Sequence, residues 1–157
     1  MPSRPEILFP LFGQLTQFTG IGPKIAINLS KLNINSPRDL LFTLPHSLLI
    51  RNKIETVLDA VNNDIIIIEI IVDEHLENQQ KNRPYKINVS DAKAPFQLVF
   101  FHARKNWLWD LFPIGEKVLI SGKLEYFDGK AQITHPDYVF EPGNEEQIPT
   151  LEPIYSL

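Results

Sequence analysis

The stretch IIIIEIIV, Ile65 to Val72, is the longest aliphatic run in the chain, and Glu69 interrupts it. It is far too short to span a bilayer, which takes about 20 apolar residues. It opens a strand pattern that continues to Val139. Strands are predicted over Ile65–Glu74, Tyr85–Ser90, Phe96–Phe101, Lys117–Tyr126 and Ala131–Val139, with a helix over Arg104–Leu111 between the third and fourth. Asp128-Gly129 is a two-residue hairpin turn joining the last pair. Gly122, inside a strand, predicts a bulge where the sheet bends. Five strands with a helix after the third is the order of an OB-fold, a small and partly open barrel.

The residues before this barrel read as helical. In TGIGPKIAINLSKLNI, Gly20 and Gly22 allow a tight turn, Pro23 suits the first helical position, and Ile25, Leu29 and Leu32 form one stripe. In SPRDLLFTLP, Ser36 is an N-cap, Asp39 lies in the first turn and Pro45 stops the helix. The chain therefore divides into a helical segment, 1–60, with a helix-hairpin-helix-like turn, a barrel, 61–142, and an acidic, proline-containing linker, 143–157. The fold class is mainly β with a helical N-terminal part.

Composition narrows the function classes. There is no cysteine, so disulfides and thiolate metal sites are excluded and a reducing, cytoplasmic home is expected. No phosphate loop GxxxxGK[ST] is present, the four histidines lack metal-ligand spacing, and no acid/base carboxylate pair is visible. The chain alone is expected to be neither an enzyme nor a cofactor binder. The formal net charge of −4 argues mildly against nucleic acid, but charge is uneven. Glu141, Glu145, Glu146 and Glu152 crowd the tail, whereas Lys81, Arg83, Lys86, Lys93, Arg104, Lys105, Lys123 and Lys130 lie in the middle. Binding depends on the patch, not the average.

LVFFHARKNW, Leu98 to Trp107, holds the best binding candidates. Neighbouring strand residues face opposite ways, so if Leu98 and Phe100 face the interior, Val99 and Phe101 face outward. An outward Phe101 beside His102, Arg104 and Lys105 suits base stacking with phosphate anchors, on the side of the barrel where OB-folds take oligonucleotides. Packing under the next helix with Trp107 or Leu108 fits equally well. Trp107 and Trp109 are expected to be core or subdomain packing residues, one of them half-exposed. The loop NQQKNRPYK, with Arg83 and Lys86, either grips phosphates or is a solvated hairpin tip. Gly20, Gly22 and Lys24 offer backbone N–H groups and a charge to a phosphate, or simply a turn between helices. His135 and Tyr138 either bind a ligand or fix the barrel edge.

Taken in order, TGIGPK, DLLFTLP, RPYKINVSD, LVFFHARKNWL, EKVLISGKLEYFDGKAQITHPDYV and PTLEPIYSL resemble the N-terminal wedge region of the bacterial branched-DNA helicase RecG, over essentially the whole chain. The resemblance implies an OB-fold wedge that splits strands at replication forks or Holliday junctions during recombination and repair. It makes Phe101 the first and Phe100 the second candidate to stack on a branch-point base, with His102 and Lys105 flanking the junction. Its partners would be branched DNA, single-stranded DNA and helicase motor domains; ATP and Mg would belong to those motors, with none in this chain. The family continues into helicase motifs after a segment like PIYSL, so the chain is expected to be an excised domain or a truncated product. It also departs from the family at LPHSLLIRN, where Leu49 and Ile50 replace a usual tyrosine and acid and Arg51 is kept. The alternatives are a stand-alone single-strand-binding module and a protein-docking domain.

Overall fold

Proline and glycine punctuation sets the first elements of the computed structural model, which describes residues 5–76, 83–102 and 104–155. Two 3-10 segments, Glu6–Phe12 and Leu15–Gln17, precede α1 (Pro23–Lys31). Gly20 takes φ +91°, a region that a residue with a Cβ enters at a cost. The glycine turn thus joins a single 3-10 turn to α1, not two α-helices. After α1, α2 (Pro37–Phe42) starts at Ser36, whose backbone N–H donates to the Asp39 carboxylate at 2.9 Å. Thr43 turns its hydroxyl back onto the Asp39 carbonyl at 2.7 Å, and the helix ends before Pro45.

The chain then runs through β1 (Ser47–Ile50), β2 (Asn52–Lys53) and a 3-10 turn, Val57–Asp59, where the sequence had suggested only helix. Next come β3 (Ile65–Leu76), β4 (Tyr85–Ser90), β5 (Pro95–Phe100), α3 (Lys105–Leu111), β6 (Lys117–Phe127), β7 (Lys130–Thr134), β8 (Tyr138–Phe140) and β9 (Leu151–Ile154). Two compact units result: one from the described residues up to Leu48 with those from Pro153, the other Leu49–Glu152. Among the described residues no helix is long and apolar enough to cross a membrane.

In the second unit β3, β4, β5, β7 and β6 hydrogen-bond in that order, and β6 returns to β3. This closes the five-stranded barrel predicted as an OB-fold; β5 and β7 pair in parallel and the other barrel pairs are antiparallel. Ile66, Ile68, Ile70 and Val72 of β3 point into the core with Ile87, Val89, Leu98, Phe100, Ile120, Leu124 and Ile133. Ile67 points the other way and packs with Leu119 and Ile148. That second cluster explains why four isoleucines stand in a row, since both faces of β3 are covered there. It also corrects the tail: the stretch expected to be a linker carries buried Ile148 and the strand β9.

Two further expectations change and one holds. The bulge sits in β3, between Val72 and Glu74, whereas β3 and β6 stay in register through Gly122. Gly122 is there because a Cβ would meet the Ile133 methyl at 2.5 Å and the Pro136 backbone at 3.3 Å. The last predicted strand breaks into β7 and β8 at His135-Pro136-Asp137, where His135 has φ +48°. The Asp128-Gly129 turn is as predicted, with φ +51° and +74°, the handedness that suits a two-residue hairpin.

Asp91 holds the β4–β5 turn by accepting from the N–H groups of Val57 (2.7 Å), Lys93 (2.7 Å) and Ala94 (2.8 Å). Burial is the largest single influence and pushes its carboxyl up. Bonds from Lys93, Val57, Ala94 and the Thr56 hydroxyl together outweigh it and hold the group below the ordinary 3.8. A depressed native value means the stability gained is complete above the ordinary value and is lost as pH falls through the native one. Urea unfolding from pH 6 to pH 2 should therefore show Asp91→Asn less stable than wild type at neutral pH, the gap closing below about pH 4. A gap constant with pH would mean that the carboxylate charge does not matter.

Candidate nucleic-acid interface

Alternation along β5 decides which phenylalanine is available. Phe96, Leu98 and Phe100 enter the core, and Phe100 is 3% exposed while its neighbour Phe101 is 49% exposed. Val99, expected to face solvent, is buried as well, in register between Lys86 of β4 and Thr134 of β7. Phe101 is thus the exposed residue of the pair, and Phe100, sequence candidate for the same role, is a core residue packed on Phe112 at 5.6 Å between ring centroids.

Phe101 leaves the strand under restraint. Its N–H donates to His135 Nε2 at 2.9 Å, and its ring centroid lies 5.9 Å from the imidazole. The next residue, His102, is exposed and left-handed at φ +57°, which turns the chain sharply toward α3. Arg104 caps α3 and Lys105 opens it, both exposed.

Register gathers the other bases at this end of the sheet. Tyr85 pairs with Phe100 and Lys86 with Val99, so exposed Arg83 and part-buried Lys86 flank the strand end that carries Phe101. Lys86 Nζ is held 3.3 Å from the Gln97 side-chain oxygen. Residues 78–82 of the predicted basic loop, Lys81 among them, lie outside the described residues. Four basic residues near the strand end that carries one exposed aromatic ring are a pattern suited to a nucleic-acid strand, with stacking on the ring and phosphates on the basic side chains. Gly20, Gly22 and Lys24 belong to the other compact unit, where the two glycines lie in an exposed turn ahead of α1 and Lys24 is exposed in its first turn.

Of the two tryptophans, Trp109 packs and Trp107 is the half-exposed one. Leu108 and Phe112, four apart on α3, take the core positions and leave Trp107 52% and Trp109 38% exposed. Trp109 stacks on His75 at 4.2 Å and 15°. His75 is a buried strut. Its Nε2 lies 2.7 Å from the Phe112 carbonyl, which can only accept, so Nε2 carries the proton and Nδ1 accepts from the Tyr85 hydroxyl at 2.8 Å.

A feature that the sequence reading missed lies across the strands. Glu74, Asn88, Gln97, Gln132 and Glu125 are successive register partners through β3, β4, β5, β7 and β6. Asn88 donates to Glu74 at 3.4 Å and Gln97 donates to Asn88 at 2.9 Å. Beside this row lies a groove of about 580 Å³, lined by Leu58, Asp73, Asn88, Gln97, Tyr126 and Lys130 among others. The outward alternation Lys86-Asn88-Ser90 was the available signal, but only pairing shows that the amides line up. Among the described residues no group of three or more His, Asp or Glu side chains is placed to hold a metal ion.

The RecG wedge domain family matches residues 15–157. A solved structure of RecG bound to a three-way DNA junction superposes with a TM-score of 0.68 at 21% identity, covering 94% of this chain and 20% of that one. At that identity the likeness shows the fold. This chain spans about a fifth of that protein's length. Asparaginyl-tRNA synthetase from Entamoeba histolytica in complex with asparaginyl-adenylate is a more remote likeness, with a TM-score of 0.46 at 13% identity, covering 64% of this chain and 26% of that one. No curated protein matches the sequence.

Proposed function

This chain belongs to the RecG wedge-domain family, and from that premise we propose that it binds branched DNA, using Phe101 as the surface on which a base at the branch point stacks. The observation that carries the reading is the position of Phe101: half-exposed, at the end of a buried strand, its N–H pinned, with Arg83, Lys86, Arg104 and Lys105 around the same end of the sheet. Opening one base-pair step costs about 0.6–2.2 kcal/mol of stacking, and one base on an aromatic ring returns about 1–3 kcal/mol. A wedge therefore needs no chemistry of its own. Asn88, Gln97 and Gln132, the three amides between Glu74 and Glu125 in the row, supply neutral donors and acceptors along the barrel for one of the separated strands. Splitting of forks or Holliday junctions during recombination and repair, with ATP and Mg acting in motor domains outside this chain, is the larger role proposed with it.

A second reading has its own observation. Leu41, Phe42 and Leu44 of the helical unit are largely exposed, and the net charge is −4. Those features suit a surface that docks protein, such as the helicase motor. The test is a titration of a labelled three-way fork, a duplex and a single strand with the chain and with Phe101→Ala at two salt concentrations. Fork binding should weaken with salt and fall about five- to 150-fold in Phe101→Ala, the loss of one stack. Fork binding indifferent to Phe101 would remove the wedge role from this residue. A preference for plain single strands would favour a general single-strand module.

A further inference from the structure

His135 stands between the two phenylalanines. Its ring meets Phe100 edge-on at 5.7 Å and 86° on the core side, and Phe101 at 5.9 Å and 35° on the exposed side. Its own backbone N–H donates to the Val99 carbonyl at 3.0 Å, one residue beyond the last register pair of β5 with β7. Its Nε2 accepts the Phe101 N–H at 2.9 Å. An imidazole nitrogen that accepts is unprotonated, so His135 is neutral with its proton on Nδ1. The residue adopts φ +48° at the point where the chain leaves β7, and His102 adopts φ +57° just after Phe101. Two left-handed corners thus face each other across a short pair of hydrogen bonds, and the exposed ring hangs between them.

We infer that His135 is a positioning residue for strand separation, its Nε2 fixing the Phe101 backbone so that the ring is already presented when a branch-point base arrives. The inference rests on the wedge reading of Phe101. An aromatic free to swing must be ordered on binding, and that ordering reduces affinity. Here the restraint exists before binding, in a bond that touches no DNA. The bond also couples the two strand ends: Val99 of β5 and Phe101 just beyond it are both held by one residue of the β7 corner.

The experiment uses the 157-residue chain and a three-way fork carrying 2-aminopurine at the branch nucleotide, whose fluorescence reports stacking. His135→Asn accepts the left-handed corner, but its amide is too short to reach the Phe101 N–H. His135→Gln reaches it with a carbonyl oxygen. The Asn variant should lose about three- to tenfold in fork affinity, the range for one hydrogen bond, together with most of the 2-aminopurine response. The Gln variant should stay within about twofold of wild type. Equal behaviour of Asn, Gln and wild type, with Phe101→Ala still defective, overturns the role of His135 and leaves the wedge reading standing. Equal loss in Asn and Gln also overturns it, since ring packing would then explain the effect. Indifference of the fork signal to Phe101→Ala overturns both. Hydrogen exchange of the wild-type Phe101 amide tests the bond without any variant: protection is expected, and exchange at the rate of a free surface amide refutes it.

Discussion

Phe100→Ala should destabilise the chain by about 3–5 kcal/mol, the cost of emptying a phenylalanine site in a core, while Phe101→Ala next to it should cost under about 0.5 kcal/mol. The physical difference is burial alone. Phe100 is 3% exposed and packs against Phe112, itself fully buried, and among Leu98, Leu108 and Ile133 of the same cluster. Truncating it leaves a cavity that a closed barrel cannot collapse to fill, because every strand around it is paired on both sides. Phe101 has left the ladder, and half its surface is already in water. Urea unfolding of both variants, followed by fork titration of the folded protein, separates the two roles. The pairing should be crossed: the variant that costs stability retains fork binding per folded molecule, and the variant that costs nothing loses it. Comparable destabilisation by the two changes would place Phe101 in the packed structure and remove the argument for an available stacking surface.

How much of this was legible before the coordinates follows from the range over which each feature is encoded. The Asp128-Gly129 hairpin, the starts of the barrel strands and the Phe100/Phe101 division are local, set by turn chemistry and alternation; the turn and the division are where the sequence placed them, and the starts of β5 and β7 fall one residue earlier, at Pro95 and Lys130. Val99 shows the limit of alternation. Facing outward does not mean exposed when a strand lies between two others, and the parallel β5–β7 pairing that covers it joins residues far apart in sequence. The partial exposure of the tryptophans has a related reason. Leu108 and Phe112 were the helix-spaced apolar pair on α3, so the larger residues beside them were the ones left out. The tail looked like a linker by composition, yet Ile148 fills the outer face of β3 opposite Ile67. The His135 acceptor and the amide row depend on register between strands, which no single stretch of sequence carries.

Arg51 is the other position where one substitution should have a large effect, and the reason is again structural. Its side chain is 2% exposed, with Nη1 2.7 Å from Glu152, Nη2 3.6 Å from Asp137 and the Pro149 carbonyl 3.3 Å from Nη1. The guanidinium also lies 4.9 Å over the Tyr138 ring. One flat cation thus ties the segment 149–152 to the corner that follows β7. Removing one partner of a buried ion pair costs about 3–5 kcal/mol, but both carboxylates here keep contact with water, so Arg51→Met should cost less, about 2–3 kcal/mol. Arg51→Lys should recover little, because a single ammonium cannot reach two carboxylates and a carbonyl while lying flat on a ring. Glu152→Gln, at the exposed end of the same pair, should cost under about 1 kcal/mol. The loss should be local first: amide exchange at Arg51 and Ile148, which donate to Thr150 and Glu145 carbonyls, should quicken before that of β3. If Arg51→Met unfolds with the wild type, the clasp contributes nothing and the tail is held by Ile148 alone. If it unfolds early while fork binding per folded molecule is unchanged, Arg51 holds the domain together and takes no part in gripping DNA.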